Sequence, residues 1–126
     1  MMSDNYIETT VKAFNARLWG EAVQQSAEGL ALAQGRDEVF WMGLHEACQG
    51  YALLGANDLA KSERKLVASM EKLRNFGFRY HNFEVTSALA GIRLAVEEIR
   101  AVRNRNKKIF DVSLLPQFKL AALADD

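Results

Sequence analysis

The chain has one proline and one cysteine in 126 residues, its acidic and basic residues cancel, and none of its apolar runs is long. Each scarcity excludes something. With Cys48 alone there is no internal disulfide and no CxxC pair for zinc or redox chemistry, which fits a reducing cytosol. Sixteen basic against sixteen acidic residues leave no global field that would draw the protein to nucleic acid or an anionic membrane. A membrane-spanning helix needs about 18 consecutive apolar residues, and no stretch approaches that. The opening MMSDNYIETT also lacks the basic start and apolar run of a signal peptide, so neither secretion nor a membrane span is predicted. Phosphate-loop, GxSxG, HExxH and GxGxxG motifs are absent as well, which removes the motif-based routes to an enzyme.

What remains is ordinary globular material. A hydrophobic share of 49% and a charged share of 25% suit one domain over residues 1–126, with a single core. The lone Pro116 and glycines placed where helices would end predict helices joined by short turns. Asn5 and Glu8 read as a capping box for a first helix over about 5–18, with Ile7, Val11, Phe14 and Leu18 at helical spacing. Trp19-Gly20-Glu21 reads as a tight turn, and Val23, Ala27, Leu30 and Ala31 mark a second helix ending near Gly35. Asp37 can cap a third helix with the stripe Phe40, Leu44, Ala47, Tyr51 and Leu54, before Gly55 offers a left-handed stop. Asn57 then caps a fourth, carrying Leu59, Leu66, Met70 and Leu73, with Gly77 past its end. From about His81, the positions Val85, Ala88, Leu89, Ile92, Val96, Ile99 and Val102 predict a long fifth helix lying across both hairpins.

The apolar segment IFDVSLLPQFKLAAL is expected to pack back on the bundle, with a short helix after Pro116 and only the last few residues free. Turns about 37 residues apart, at Leu18 to Ala22 and Gly55 to Leu59, give the two hairpins a faint mutual similarity. That spacing lies near the tetratricopeptide period of roughly 34. The predicted class is therefore all-α: a bundle of about five helices, two antiparallel hairpins plus a long fifth helix and a packed C-terminal segment.

Three clusters could carry chemistry. In FWMGLHEACQG, His45 shares a helix face with Trp41 and Cys48, whereas Glu46 points about 100 degrees away. Two ligands at most converge there, short of a zinc site, and an unpaired buried cysteine behaves as a small hydrophobe. In FGFRYHNFEV, His81 and Glu84 at i, i+3 could form an acid–base or metal dyad beside Tyr80. The bland reading is a carboxylate at a helix start, pinned by Phe76, Phe78, Tyr80 and Phe83. His45, Trp41, Tyr80, His81 and Glu84 are thus the residues nominated for a ligand or partner site. The run RAVRNRNKK offers Arg100, Arg103, Arg105, Lys107 and Lys108 as phosphate contacts. Read plainly, it is a solvated helix C-terminus, and no aromatic residue is interleaved for base stacking.

Phe14-Asn15, the Trp19-Gly20-Glu21-Ala22 turn, Gly43-Leu44, Gly55-Ala56-Asn57-Asp58-Leu59-Ala60 and Leu114-Leu115-Pro116 together resemble a known family. It is the small all-helical family catalogued as domain of unknown function 309, and the likeness spans roughly residues 10–118. The resemblance implies an all-helical fold and places the family's His-Glu pair at Val23 and Gln24, with its next glutamate at Ala27. Here that polar trio is replaced by groups that do not titrate usefully, although Glu28 lies one position later. The glutamine of the family's GLIQ-like phrase is met by Glu46.

The reading favoured by these residues is a cytosolic helical protein without catalytic chemistry or cofactor, whose grooves bind another protein or a second copy of itself. Exposed aromatics such as Trp19 would serve that association. Its rivals are a divergent metal-dependent or acid–base enzyme drawing on His45, His81, Glu84 and Glu28, and nucleic-acid binding through residues 100–108.

Overall fold

Helical spacing in the sequence becomes five helices in the computed structural model, which describes residues 2–121. They are α1 (Met2–Asn15), α2 (Trp19–Leu32), α3 (Arg36–Gly55), α4 (Leu59–Leu73) and α5 (Val85–Arg103). The expected all-helical bundle is what forms. Among the described residues it is joined by short 3-10 turns and a pair of two-residue strands, β1 (Arg79–Tyr80) and β2 (Phe83–Glu84), connected by His81-Asn82. No helix among the described residues is long and apolar enough to cross a membrane.

The turns lie a few residues from where glycine spacing predicts them, for one recurring reason. α1 stops at Asn15, and Trp19-Gly20-Glu21 is the first turn of α2 rather than the connection. The reversal is made by Arg17 at φ 63°, with Leu18 N–H donating to Ala13 O at 2.9 Å, a six-to-one helix closure. The second hairpin repeats this geometry with Asn57 at φ 63° and Asp58 N–H donating to Leu53 O at 2.9 Å. Hairpin equivalence therefore runs from Arg17 to Asn57, a period of about 40 rather than 37. Asp58, not Asn57, caps α4 by accepting Lys61 N–H at 3.2 Å. Gly55 stays helical, and a Cβ there would lie 3.2 Å from the Trp19 ring. It is small because of packing, not turn geometry. Gly35, not Asp37, occupies the cap position of α3, and Asn5 and Glu8 lie inside α1.

α3 lies between α2 and α4 and buries side chains on most of its circumference, including Phe40, Trp41, Leu44, Ala47, Cys48 and Tyr51. Close approach on both sides depends on missing Cβ atoms. A Cβ on Gly29 would sit 2.5 Å from the Trp41 ring, and one on Gly50 would sit 2.6 Å from Leu66 Cδ2. Ser62 Oγ then donates to Gly50 O at 2.7 Å, tying α4 to α3.

α5 packs chiefly against α4 rather than across both hairpins. The first hairpin is reached instead by an extended strap after Arg103. Among the described residues no helix follows Pro116; a 3-10 turn precedes it at Val112–Leu114. The strap stays extended because side chains and a strand edge take its backbone groups. Asn15 accepts Phe118 N–H at 2.8 Å and donates to Phe118 O at 3.0 Å, while Arg17 donates to Pro116 O at 2.6 Å and Leu115 O at 3.0 Å. Glu84 N–H donates to Lys119 O at 2.9 Å. Phe118, 1% exposed, stacks on Phe14 with ring centroids 3.8 Å apart. The buried carboxylate of Glu98 holds the strap's start, accepting Lys107 Nζ at 2.9 Å and Asp111 N–H at 3.0 Å. The last five residues, where free ends were expected, lie outside the described residues.

Candidate functional site

His45 and Cys48 meet a partner from outside their own helix. Ser26 on α2 places its Oγ 2.9 Å from His45 Nδ1, and it also reaches Ala22 O at 2.8 Å. A hydroxyl has one proton, so when Ser26 gives it to the helix carbonyl, His45 Nδ1–H is the donor in the other contact. Burial pushes the His45 pKa down, Lys65 lowers it further, and the imidazole is neutral near pH 7. Burial likewise pushes the Cys48 thiol up to about 12, against the weaker pull of Ser26. A thiol in that state is no nucleophile. Glu46 turns away to Lys72 Nζ at 2.8 Å, as its helical phase required. Trp41 cannot meet a partner: it is 0% exposed, pressed on Gly29, with its Nε1–H unbonded. Ser26 carried no signal in the sequence, since only the α2–α3 packing brings it to His45.

His81 and Glu84 take different partners. The hairpin register sets Arg79 opposite Glu84, and Arg79 Nε donates to Glu84 Oε2 at 2.7 Å. His81, at φ 51° in the turn, reaches across to α3, where its Nε2 lies 2.8 Å from Asp37 Oδ1. Tyr80 Oη donates to the same oxygen at 3.0 Å. Partial burial, then the neighbouring Asp37 carboxylate, raises the Tyr80 pKa. Below them Arg36 stacks 4.6 Å over the Phe76 ring and donates to Asn75 O at 2.9 Å. This cluster fastens the β-hairpin to the first turn of α3. The four side chains an acid–base site would have gathered, His45, His81, Glu84 and Glu28, instead bond Ser26, Asp37, Arg79 and Tyr6. Among the described residues no group of three His, Cys, Asp or Glu is placed to hold a metal ion.

The basic run is also divided. Arg100 Nε donates to Glu63 Oε2 at 2.8 Å and Arg103 Nη1 to Glu63 Oε1 at 2.7 Å. Partial burial raises the pKa of Glu63, but the two guanidinium groups outweigh it and hold the carboxyl below its usual range. Lys107 is bound to Glu98. Arg105, at φ 63°, and Lys108 make no ion pair with a described residue. Three of the five cations thus carry an internal carboxylate partner while staying about half exposed, and two do not. Trp19 is no exposed aromatic either: it stacks on Tyr51 at 6.0 Å and meets Phe14 edge-on at 5.3 Å.

The feature that sequence reasoning missed is a groove along the α4–α5 seam. Its sections of about 410 and 260 Å³ share Val67 and Glu71, and a third of about 340 Å³ continues past Arg100 and Arg103 to Asn104. Val67, Ala68, Met70 and Leu89 are its half-buried apolar residues. Arg64, Arg74 and Arg93 join Arg100 and Arg103 in its lining, against Glu63 and Glu71. A helical wheel of either helix shows an arginine on its polar face, but only the pairing of α4 with α5 brings them along one channel.

No protein-family model, no curated protein and no solved structure matches this chain.

Proposed function

We propose that the chain is a cytosolic protein-interaction module that docks a protein partner, or a second copy of itself, on its α4–α5 face. One observation carries this reading: a continuous groove remains open along that seam, with Val67, Met70 and Leu89 accessible in it. The polar residues nominated for chemistry support it indirectly, since they are engaged in contacts that hold the bundle together. Membership of the helical family catalogued as domain of unknown function 309, as a divergent relative, belongs to the same proposal. Its support is spatial. Asn15 and Arg17 at the end of α1 grip the Leu115–Phe118 strap and Gly55 receives Trp19, so four of the five phrases that carry the resemblance meet, while Gly43-Leu44 packs elsewhere, against α4.

The test is a photocrosslinking amino acid placed at Val67, with Lys12 on α1 as control, followed by mass determination of the adducts in cells of the source organism. A discrete adduct at Val67 but not at Lys12 is expected. Equal adducts at both positions, or none at Val67, would remove the α4–α5 face as the docking site.

A further inference from the structure

We infer that the occupant of the α4–α5 groove is an amphipathic helix rich in carboxylates; the inference rests on the reading of that groove as a docking face. Charge points there first. Five arginines and two glutamates line the groove, an excess of three positive charges in a chain whose net charge is zero. Arg64, Arg74 and Arg93 are exposed and form no ion pair with any described residue, so their charges are open to a partner. Arg100 and Arg103 are held in place by Glu63, which fixes where further carboxylates would be met. Guanidinium groups bind carboxylates in forked pairs and keep their charge at any working pH.

Shape argues for a helix as the guest. From Leu89 to Arg103 the α5 wall runs about 21 Å, the length of about 14 helical residues. Val67, Met70 and Leu89 form an apolar floor between the charges, suited to side chains at i, i+3 and i+7 of an incoming helix. Met70 adds an adaptable contact. Nucleic acid fits the lining less well, because no aromatic residue is present for base stacking and the floor has no use for phosphates.

The experiment uses the full chain and a fluorescein-labelled synthetic peptide of about four helical turns. The peptide carries leucines at i, i+3 and i+7, glutamates elsewhere, and capped ends. Fluorescence anisotropy should give saturable binding that weakens about tenfold in Arg64→Glu/Arg93→Glu and again as salt rises to about 0.5 M. Lys12→Glu on α1 should bind like the parent. Isotope-labelled protein should show shifts centred on Val67, Met70, Leu89 and Arg93, and thermal melts should confirm that each variant folds. Equal binding of a peptide with lysines in place of its glutamates, or indifference to the double variant, would overturn the inference. Binding of a single-stranded RNA at these residues in preference to the peptide would overturn it in favour of nucleic acid. If the peptide is inert while sedimentation shows a dimer that Arg64→Glu/Arg93→Glu abolishes, the docking face stands and the acidic helix falls.

Discussion

On its α3 side, α4 presents Ser62, Leu66, Ser69 and Leu73, all buried, to Gly43, Gly50 and the rest of a helix hidden on most of its surface. On its α5 side it presents Arg64, Val67, Glu71 and Arg74, and the two helices leave a channel between them. The difference lies in side-chain size at the seam. Glycines on α3 let Leu66 and Leu73 sink to backbone level and the Ser62 hydroxyl bond across to Gly50 O, whereas α5 has its glycine at Gly91, where a Cβ would meet Pro116 of the strap at 2.6 Å. A helix whose facing positions are long and charged stays at arm's length, because buried guanidinium groups would lose more in hydration than the seam could return.

Neighbouring residues on α4 give the sharpest test of that contrast. Leu66→Ala, on the closed seam, is expected to lose about 2–5 kcal/mol in urea unfolding. Val67→Ala, one position along on the open seam, should lose less than about 1 kcal/mol. Equal losses would mean that the groove is closed in solution. Next in size is Gly29→Ala, which drives a methyl into the Trp41 ring and should cost about 1–3 kcal/mol by the same measurement, since an indole wedged between two helices has little room to move.

A smaller effect separates the half-buried histidine from the exposed seam. Folding lowers the pKa of His45, so below its ordinary value of 6.5 the unfolded chain takes up a proton that the native state resists. Melting temperature should therefore fall as pH drops through 6.5, and His45→Gln should flatten that slope. Glu63 titrates with the same sign in a lower window. Its carboxyl is held below its ordinary 4.5, so its bonds to Arg100 and Arg103 support the fold above that value and fade as pH falls below it. The difference in melting temperature between parent and Glu63→Gln should shrink from pH 6 to pH 3. Arg93→Glu, the least of these, should change stability by under about 0.5 kcal/mol while changing what the groove binds.

Much of the bundle was legible from spacing. Phe40, Leu44, Ala47 and Tyr51 recur every three or four residues, and a repeat of that period has one helical phase that buries it; all four are buried. Turns were less legible because the left-handed positions are held by Arg17 and Asn57 rather than glycine, so the expected marker was absent. Glycine in a sequence marks a helix end by default, yet Gly29, Gly43 and Gly50 lie inside helices and are small because another side chain needs the space. The strap's course was likewise hidden, since its hydrogen bonds end on Asn15 and Arg17, some hundred positions away.

The candidate site divides along the same line. Identity and order of residues determined the helices, their apolar faces and the separation of His45 from Glu46, because these depend on neighbours three and four positions apart. Pairing of His45 with Ser26, His81 with Asp37 and Arg100 with Glu63 joins helices distant in sequence, and no local pattern encodes such a choice. Packing decided which arginines line a channel and which brace the bundle, since charge acts through space and space is settled only when the helices close on one another.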